Sequence, residues 1–325
     1  KLASNESSYG PLPSVLSAIT DEANLLNRYP DHRGQAVRDA LAAKHGVEVG
    51  QVTVGCGSVG LLQQAFVAYV DAGDEVVYPW RSFEVHPVFS AISEAKAVTV
   101  PLSGQSFDLD AVGAAVTDRT KLVILSTPNN PTGTVCSTND LKHLLESVSN
   151  DVVVIIDEAY LEFVTDGSVA NAVTELLPHH DNAVVFRTFS KAYGLANLRV
   201  GYAIGDHQVI GAIDKVALPF LVNGLAQIAV LASLKPEAEN ELRARVEEVI
   251  SERSRVSAEL EARGWPVTPS QANFVWLPIG EQAAPLFQRL ESMGVVTRPF
   301  ENEGLRVTMG RPVENDRFRD VIGSR

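Results

Sequence analysis

Seven short apolar runs rich in valine and isoleucine, at 51–54, 75–78, 97–100, 122–125, 152–156, 183–186 and 199–204, alternate with segments of helical spacing. A strand buried on both faces reads as a continuous β-branched run, and the helices between such strands cover the two faces. The alternation therefore predicts an α/β fold, a mostly parallel seven-stranded sheet between helices. Helices are expected over 57–69, 108–115, 138–147 and 206–216, with Asp108, Thr138 and Asp206 as N-caps. After Pro236 the pattern changes to a long charged helix over 237–263, a segment 267–277, a helix over 282–293 and a strand over 305–309. That is an α+β layer with a core of its own. A chain of 325 residues accommodates two domains at about 150 residues each. The pattern divides it into a large domain over 27–235 and a small domain made of 236–325 with the opening 1–26 packed on it. The crevice between them is where a site is expected.

Charge and cysteine content narrow the partners. The formal net charge of −13 repels nucleic-acid backbones and anionic lipid, so neither is an expected partner. The most apolar long run, 217–234, is interrupted by Pro219, Asn223, Gly224, Gln227 and Ser233, and reads as a buried helix at a domain or subunit boundary rather than a membrane span. Cys56 and Cys136 are too few for a disulfide framework or a zinc site, which points to a reducing, cytoplasmic setting and to no metal. The chain opens at Lys1 inside what reads as a structured motif, so a preceding N-terminal segment is expected.

Three segments carry the chemistry. A lone lysine beside a turn is ordinarily a solvated surface group. Lys191 differs in its surroundings, since it follows an apolar run, is flanked by Ser190 and Gly194, and has Arg199 eight positions on. A lysine that forms an imine must lose its proton, and burial and a nearby cation both encourage that. Ser190 and Arg199 would suit a phosphate. Asp157 ends the apolar run 152–156, which places it at the carboxyl edge of the sheet, where open α/β folds bind ligands. A helix N-cap is the plain alternative; a partner for a protonated pyridine nitrogen is the functional one. Tyr160, three residues on, and Asn130, in the turn Asn129-Asn130-Pro131-Thr132-Gly133, are candidate donors to a ring oxygen. The turn 55–60 resembles a phosphate cradle, because backbone N–H groups at a helix N-terminus attract anions. Its glycine spacing is wrong for a dinucleotide fingerprint. Phe83 is either a ring that stacks on a flat cofactor or a core residue. Arg306, a charge on an apolar strand, requires either an internal ion pair or a substrate carboxylate, and Arg298 is a weaker candidate of the same kind. Together these features suit a pyridoxal phosphate site.

The motif order resembles the class I and II aminotransferases among the fold-type I pyridoxal enzymes, and within them the histidinol-phosphate aminotransferase family. The resemblance spans nearly the whole chain. It rests on 2–6, 27–30, the glycine turn, 130–133, 157–160, Ser190-Lys191 with Arg199, 272–274 and 305–308. It implies pyridoxal 5'-phosphate as cofactor, Lys191 as the Schiff-base lysine, Asp157 as the pyridine partner, and Asn130 and Tyr160 on the 3'-oxygen. It further implies Phe83 as the stacking ring, a phosphate held by Ser58, Val59, Ser190 and Arg199, and a substrate bound by Arg306 with Asn5. Tyr29 would reach the cofactor phosphate of a second subunit, making a homodimer with shared sites. Histidinol-phosphate enzymes commonly carry an acidic pair where this chain has Val59 and Gly60. That departure, with the segment 80–84, is similar to the actinobacterial aromatic or phenylalanine aminotransferases. The expected reaction moves an amino group between an aromatic amino acid and a 2-oxo acid such as 2-oxoglutarate. Histidinol-phosphate transamination is the nearest alternative, and a pyridoxal decarboxylase of the same fold is a more distant one.

Overall fold

The structure is a computed structural model and describes residues 1–325. Seven strands form the main sheet: β1 (Val52–Gly55), β2 (Glu75–Trp80), β3 (Lys96–Pro101), β4 (Thr120–Ser126), β5 (Val153–Asp157), β6 (Ala183–Thr188) and β7 (Gly201–Gly205). Their order is β1-β7-β6-β5-β4-β2-β3. β7 runs antiparallel to both its neighbours and the other pairs are parallel, which agrees with the mostly parallel sheet expected from sequence. A second, antiparallel sheet has β8 (Phe274–Leu277) and β9 (Arg298–Phe300) on either side of β10 (Gly304–Thr308).

The helices in chain order are α1 (Pro13–Glu22), α2 (Gln35–His45), α3 (Gly57–Tyr69), α4 (Val85–Ile92), α5 (Leu109–Ala114), α6 (Thr138–Ser147), α7 (Ala172–Glu175), α8 (His207–Lys215), α9 (Gly224–Ser233), α10 (Pro236–Ala262), α11 (Ala283–Ser292) and α12 (Pro312–Ile322). The two-residue period of a strand explains how one sheet feeds two cores. Leu122, Ile124, Val153, Ile155, Val184 and Phe186 pack on one face with Leu61, Leu62, Ala65 and Phe66 of α3. Val123, Leu125, Val154, Ile156, Ala183 and Val185 face the other way, into a core continuous with the second sheet.

Several local expectations are corrected. Ser137, not Thr138, caps α6 by accepting from the Asp140 N–H; Thr138 is the first helical residue. The run 217–234 is not one helix. Its first part is a loop with Leu218 exposed and Phe220 at positive φ, and α9 starts only where the Asn223 side chain accepts from Ala226 N–H. The run 199–204 enters its strand late because Arg199 adopts a left-handed conformation, φ 55°. Within 267–277 only β8 is a regular strand, with Thr268 bridging to Trp276. The helices α1, α2, α4, α7 and α12 and the short strand β9 lie outside the elements expected from sequence. The opening segment is stitched into the second sheet, with Leu2 N–H donating to Val296 O and Leu2 O accepting from Thr308 N–H. α1 then lies on both α9 and α10.

The start of α3 is pressed against the main sheet. A methyl at Gly201 would fall 2.6 Å from Ser58 N, 2.8 Å from Arg187 O and 2.9 Å from the carbonyl carbon of Gly57, all of them backbone atoms that cannot rotate aside. Gly201→Ala is expected to lower the urea midpoint at unchanged m-value, corresponding to about 1–3 kcal/mol of overpacking.

Candidate active site

The three parallel strands β4, β5 and β6 end side by side. Ser126 pairs in register with Asp157, and Asp157 with Phe186 two residues before Thr188. The strand period then places Ser126, Asp157 and Thr188 on the face covered by α3. Above this edge lies a cavity of about 750 Å³. Of the candidate residues from sequence, Asn5, Ser58, Val59, Phe83, Asn130, Asp157, Tyr160, Ser190, Lys191, Arg199 and Arg306 all line it. Tyr29 does not; it is 83% exposed on the outer surface and stacks on Phe220 at 4.8 Å.

Asp157 sits at the cavity floor, and burial pushes its carboxyl up to about 7; the Ala159 N–H, 3.2 Å from Oδ1, and the Lys191 charge pull the other way. Its neighbour Glu158 serves a different purpose. It forms a buried ion pair with Arg187 at 2.7 Å and so belongs to the scaffold. Lys191 Nζ stands 5.6 Å from the centre of the Tyr160 ring, inside the cavity wall. Phe83 meets the buried His86 edge to face at 5.9 Å. Both nitrogens of that imidazole lack a partner, and burial holds it down to about 3, so Phe83 is backed by a neutral ring.

One corner is built for an anion. The thirteen-residue α3 begins at Gly57 without a side-chain cap from Cys56, which leaves first-turn N–H groups free to point at a ligand. Arg199 crosses over that turn. Gly57 has a φ of +72° that favours glycine, and a methyl there would lie 2.6 Å from Arg199 Nη2 and push the guanidinium aside. Arg199 Nη1 reaches Ser190 Oγ at 3.4 Å, and Thr188 Oγ1 donates to the same hydroxyl at 3.0 Å. Sequence reasoning missed Thr188 and Ser126, whose Oγ is buried without a partner at the cavity floor. Strand register identifies both, but only once the pairing is known.

The opposite wall comes from the second sheet. Arg306 is buried, and the internal ion pair that sequence left open is not formed. Nη1 donates to Asn130 Oδ1, Nη2 to Ala3 O at 2.7 Å, and Nε has no partner. Burial without a carboxylate lowers its affinity for its proton. Because Asn130 Oδ1 accepts from Arg306, its Nδ2 is left to donate elsewhere. Arg298, by contrast, is paired with Glu84 at 2.9 Å and half exposed.

A planar pyridine carrying a phosphate fits these groups: a guanidinium and a helix N-terminus at one end, a buried carboxylate below, two donors at the side and an amine within reach. The family model for aminotransferase class I and II matches residues 1–322. The chain is 49% identical over 324 residues to the aromatic amino acid aminotransferase of Mycobacterium marinum, covering 97% of this chain and 88% of that one. It is likewise 49% identical to the aromatic amino acid aminotransferase of Thermobifida fusca, with 99% and 89% covered. Among solved structures, the histidinol-phosphate aminotransferase of Sinorhizobium meliloti in complex with pyridoxal-5'-phosphate superposes with a TM-score of 0.92 at 28% identity, covering 99% of this chain and 89% of that one. This chain therefore belongs to the class I and II aminotransferases. It is a transaminase whose cofactor is pyridoxal phosphate.

Asp157 makes the cofactor-free fold sensitive to pH. Its folded pKa lies above the ordinary carboxylate value, so the folded state retains a proton that the unfolded chain releases, and stability falls as pH rises from about 4 to about 7. Cofactor-free Asp157→Asn is expected to exceed the parent by about 2–4 kcal/mol at pH 8 and to match it near pH 4, as read by urea denaturation. Glu162, also raised to about 7 by burial, leaves part of the slope in place.

Proposed function

We propose that the enzyme moves an amino group between an aromatic amino acid and a 2-oxo acid such as 2-oxoglutarate. The observation that carries the acid end is Arg306, a buried guanidinium with an unpartnered Nε and no carboxylate of the chain beside it. A substrate carboxylate supplies the missing anion. Beside it the wall turns apolar, with Phe287, Val296 and Pro299 lining the same cavity. The names of the relatives at about 49% identity support an aromatic side chain there.

A phosphate ester such as histidinol phosphate fits this wall less well. Its phosphate would stand in place of the carboxylate, and with Arg298 held by Glu84 at 2.9 Å the wall offers the single buried guanidinium of Arg306, which matches a monoanionic carboxylate better than a dianionic phosphate.

In this reading Lys191 would hold the cofactor through its aldehyde and would carry the proton to and from the substrate Cα. The cofactor, when bound, would supply a ring able to take up the electron pair left at that carbon. Asp157 would pair with a protonated ring nitrogen, whose charge would favour the ionised carboxylate. Asn130 Nδ2 and the Tyr160 hydroxyl would donate to the 3'-oxygen. Phe83 would cover the ring face, and Ser58, Val59, Ser190 and Arg199 would hold the phosphate. Asn5 borders the substrate position from the N-terminal segment. A large domain over 27–235 bears Lys191, and a small domain of 1–26 with 236–325 bears Arg306, so a bound substrate would link the two.

We assign the active form as a homodimer. Leu25, Leu26, Tyr29, Leu218 and Phe220 are exposed large apolar side chains on the segments around 25–29 and 218–220, a surface that a second copy would cover. Tyr29 would then reach the partner's cofactor phosphate. Free thiols at Cys56 and Cys136 support a reducing, cytoplasmic setting.

The decisive measurement compares kcat/KM for phenylalanine and for histidinol phosphate, each with 2-oxoglutarate. Phenylalanine is expected to lead; a tenfold lead for the phosphate ester overturns the substrate reading. Arg306→Ala is expected to weaken transition-state binding of 2-oxoglutarate by about 2–5 kcal/mol in kcat/KM, and an unchanged value would put the carboxylate elsewhere.

A further inference from the structure

The N-terminal segment is not merely packed beside the site; its polar groups are spent on two functional side chains. Arg306 and Thr308 lie on the same face of β10, two residues apart. Arg306 grips Ala3 O, and Thr308 Oγ1 both accepts from Asn5 N–H at 3.0 Å and donates to Asn5 Oδ1 at 2.9 Å. Asn273 Nδ2 holds Asn5 O at 3.3 Å. These contacts fix Asn5 in a left-handed conformation, φ 53°, with 1% of its surface exposed. With Oδ1 accepting from Thr308, the other end of the amide must be the donor. It is Nδ2 that meets Tyr160 Oη, at 2.9 Å.

The direction of that bond matters. A phenol hydroxyl has one proton to donate and lone pairs to accept with. Because Asn5 donates, Tyr160 accepts there and keeps its own proton for a different acceptor. The ring is held against rotation, edge to face on Phe274 at 5.3 Å, and the residue lines the cavity. We propose that Asn5 is a positioning residue. The chain of bonds from Thr308 through the Asn5 amide orients the Tyr160 proton into the cavity, toward the ring oxygen of the cofactor. This rests on the reading that places Tyr160 at that oxygen, and deepens it by giving the N-terminal segment a share in setting the cofactor's acidity.

Donation to the 3'-oxygen favours the deprotonated form of the lysine-bound cofactor, so loss or misdirection of that proton raises the pH at which its visible absorbance band titrates. The test is a spectrophotometric pH titration of the pyridoxal-phosphate-loaded protein without substrate, for the parent, Tyr160→Phe, Asn5→Ala, Asn5→Asp and Thr308→Val. Tyr160→Phe is expected to raise the midpoint by about 0.5–1 pH unit, the scale of one hydrogen bond. Asn5→Ala should give part of that shift. Asn5→Asp keeps the side-chain shape but replaces the donor with an acceptor, so it should draw the Tyr160 proton away and match the full shift. In Asn5→Ala/Tyr160→Phe the two effects should not add, because the phenylalanine has already removed the proton that Asn5 orients. Thr308→Val severs the far end of the chain of bonds and should move the midpoint the same way by less, which serves if the Asn5 variants do not fold. Midpoints at the parental value in Asn5→Asp and Thr308→Val, with Tyr160→Phe shifted, would overturn the relay and leave Tyr160 at the oxygen. A parental midpoint in Tyr160→Phe would overturn both.

Discussion

A buried carboxylate that the polypeptide does not neutralise is the constraint around which this site is arranged. Asp157 ends a strand whose every residue is buried, and the chain offers it one backbone N–H and a lysine. An isolated charge in such a place is costly, and the group responds by holding its proton to about 7. Contrast Glu158, one residue on and facing the opposite side of the sheet, where Arg187 closes an ion pair at 2.7 Å. The chain therefore can satisfy a buried acid and does so where the acid is structural. At Asp157, and at Arg306 on the facing wall, the chain forms no such ion pair. A cofactor at the first and a substrate at the second would supply the missing charges.

The second sheet contributes more than a lid. β10 supplies Arg306, which reaches the Asn130 amide, and Thr308, which reaches Asn5. The first of these amides would face the ring oxygen of the cofactor, and the second reaches Tyr160. Groups that would recognise the substrate and groups that would tune the cofactor are thus joined by hydrogen bonds through one strand. Such networks are stiff when complete, because every member fixes its neighbour's rotamer. Two ion pairs, Arg81 with Glu303 and Arg298 with Glu84, tie the same sheet to the end of β2 and the start of α4. The first is half-buried and bidentate and adds to the orientation of the second sheet, whereas solvent screening leaves the exposed second pair worth little.

Much of this was visible in the residues alone, for identifiable reasons. Strands buried on both faces announce themselves as valine and isoleucine runs, and all seven strands of the main sheet fall within a few residues of those runs. Asp157 stands directly after such a run, and Lys191 and Asn130 five residues after theirs; strand ends of a parallel sheet meet in space, so their convergence follows from topology. What stayed hidden depends on pairing across distance. Ser126 and Thr188 look like ordinary strand-end hydroxyls until register places them beside Asp157. Ala3 enters through a carbonyl, which carries no residue-type signal at all. The 217–234 run misled because its apolar residues serve two purposes: 226, 229 and 230 pack in the core, whereas Leu218 and Phe220 lie on the surface. Hydrophobicity marks burial without saying whether the same chain provides it.

The overall charge of −13 argues, taken alone, against an enzyme for anions. Distance resolves this. Charges farther apart than a Debye length, about 8 Å at physiological ionic strength, are largely screened, so a carboxylate entering the crevice feels the groups that line it and little of the rest. Lys191, Arg199 and Arg306 line that crevice, with Arg298 at its mouth; the carboxylates are Asp157 on the floor and Glu6 and Glu84 nearer the entrance. The outer carboxylates have partners, Glu6 with Lys1 at 2.9 Å and Glu84 with Arg298 at 2.9 Å. Arg306, the buried one of these cations, has no carboxylate partner, whereas the exposed Arg298 has one. A carboxylate entering the crevice can therefore reach Arg306 without displacing either surface pair.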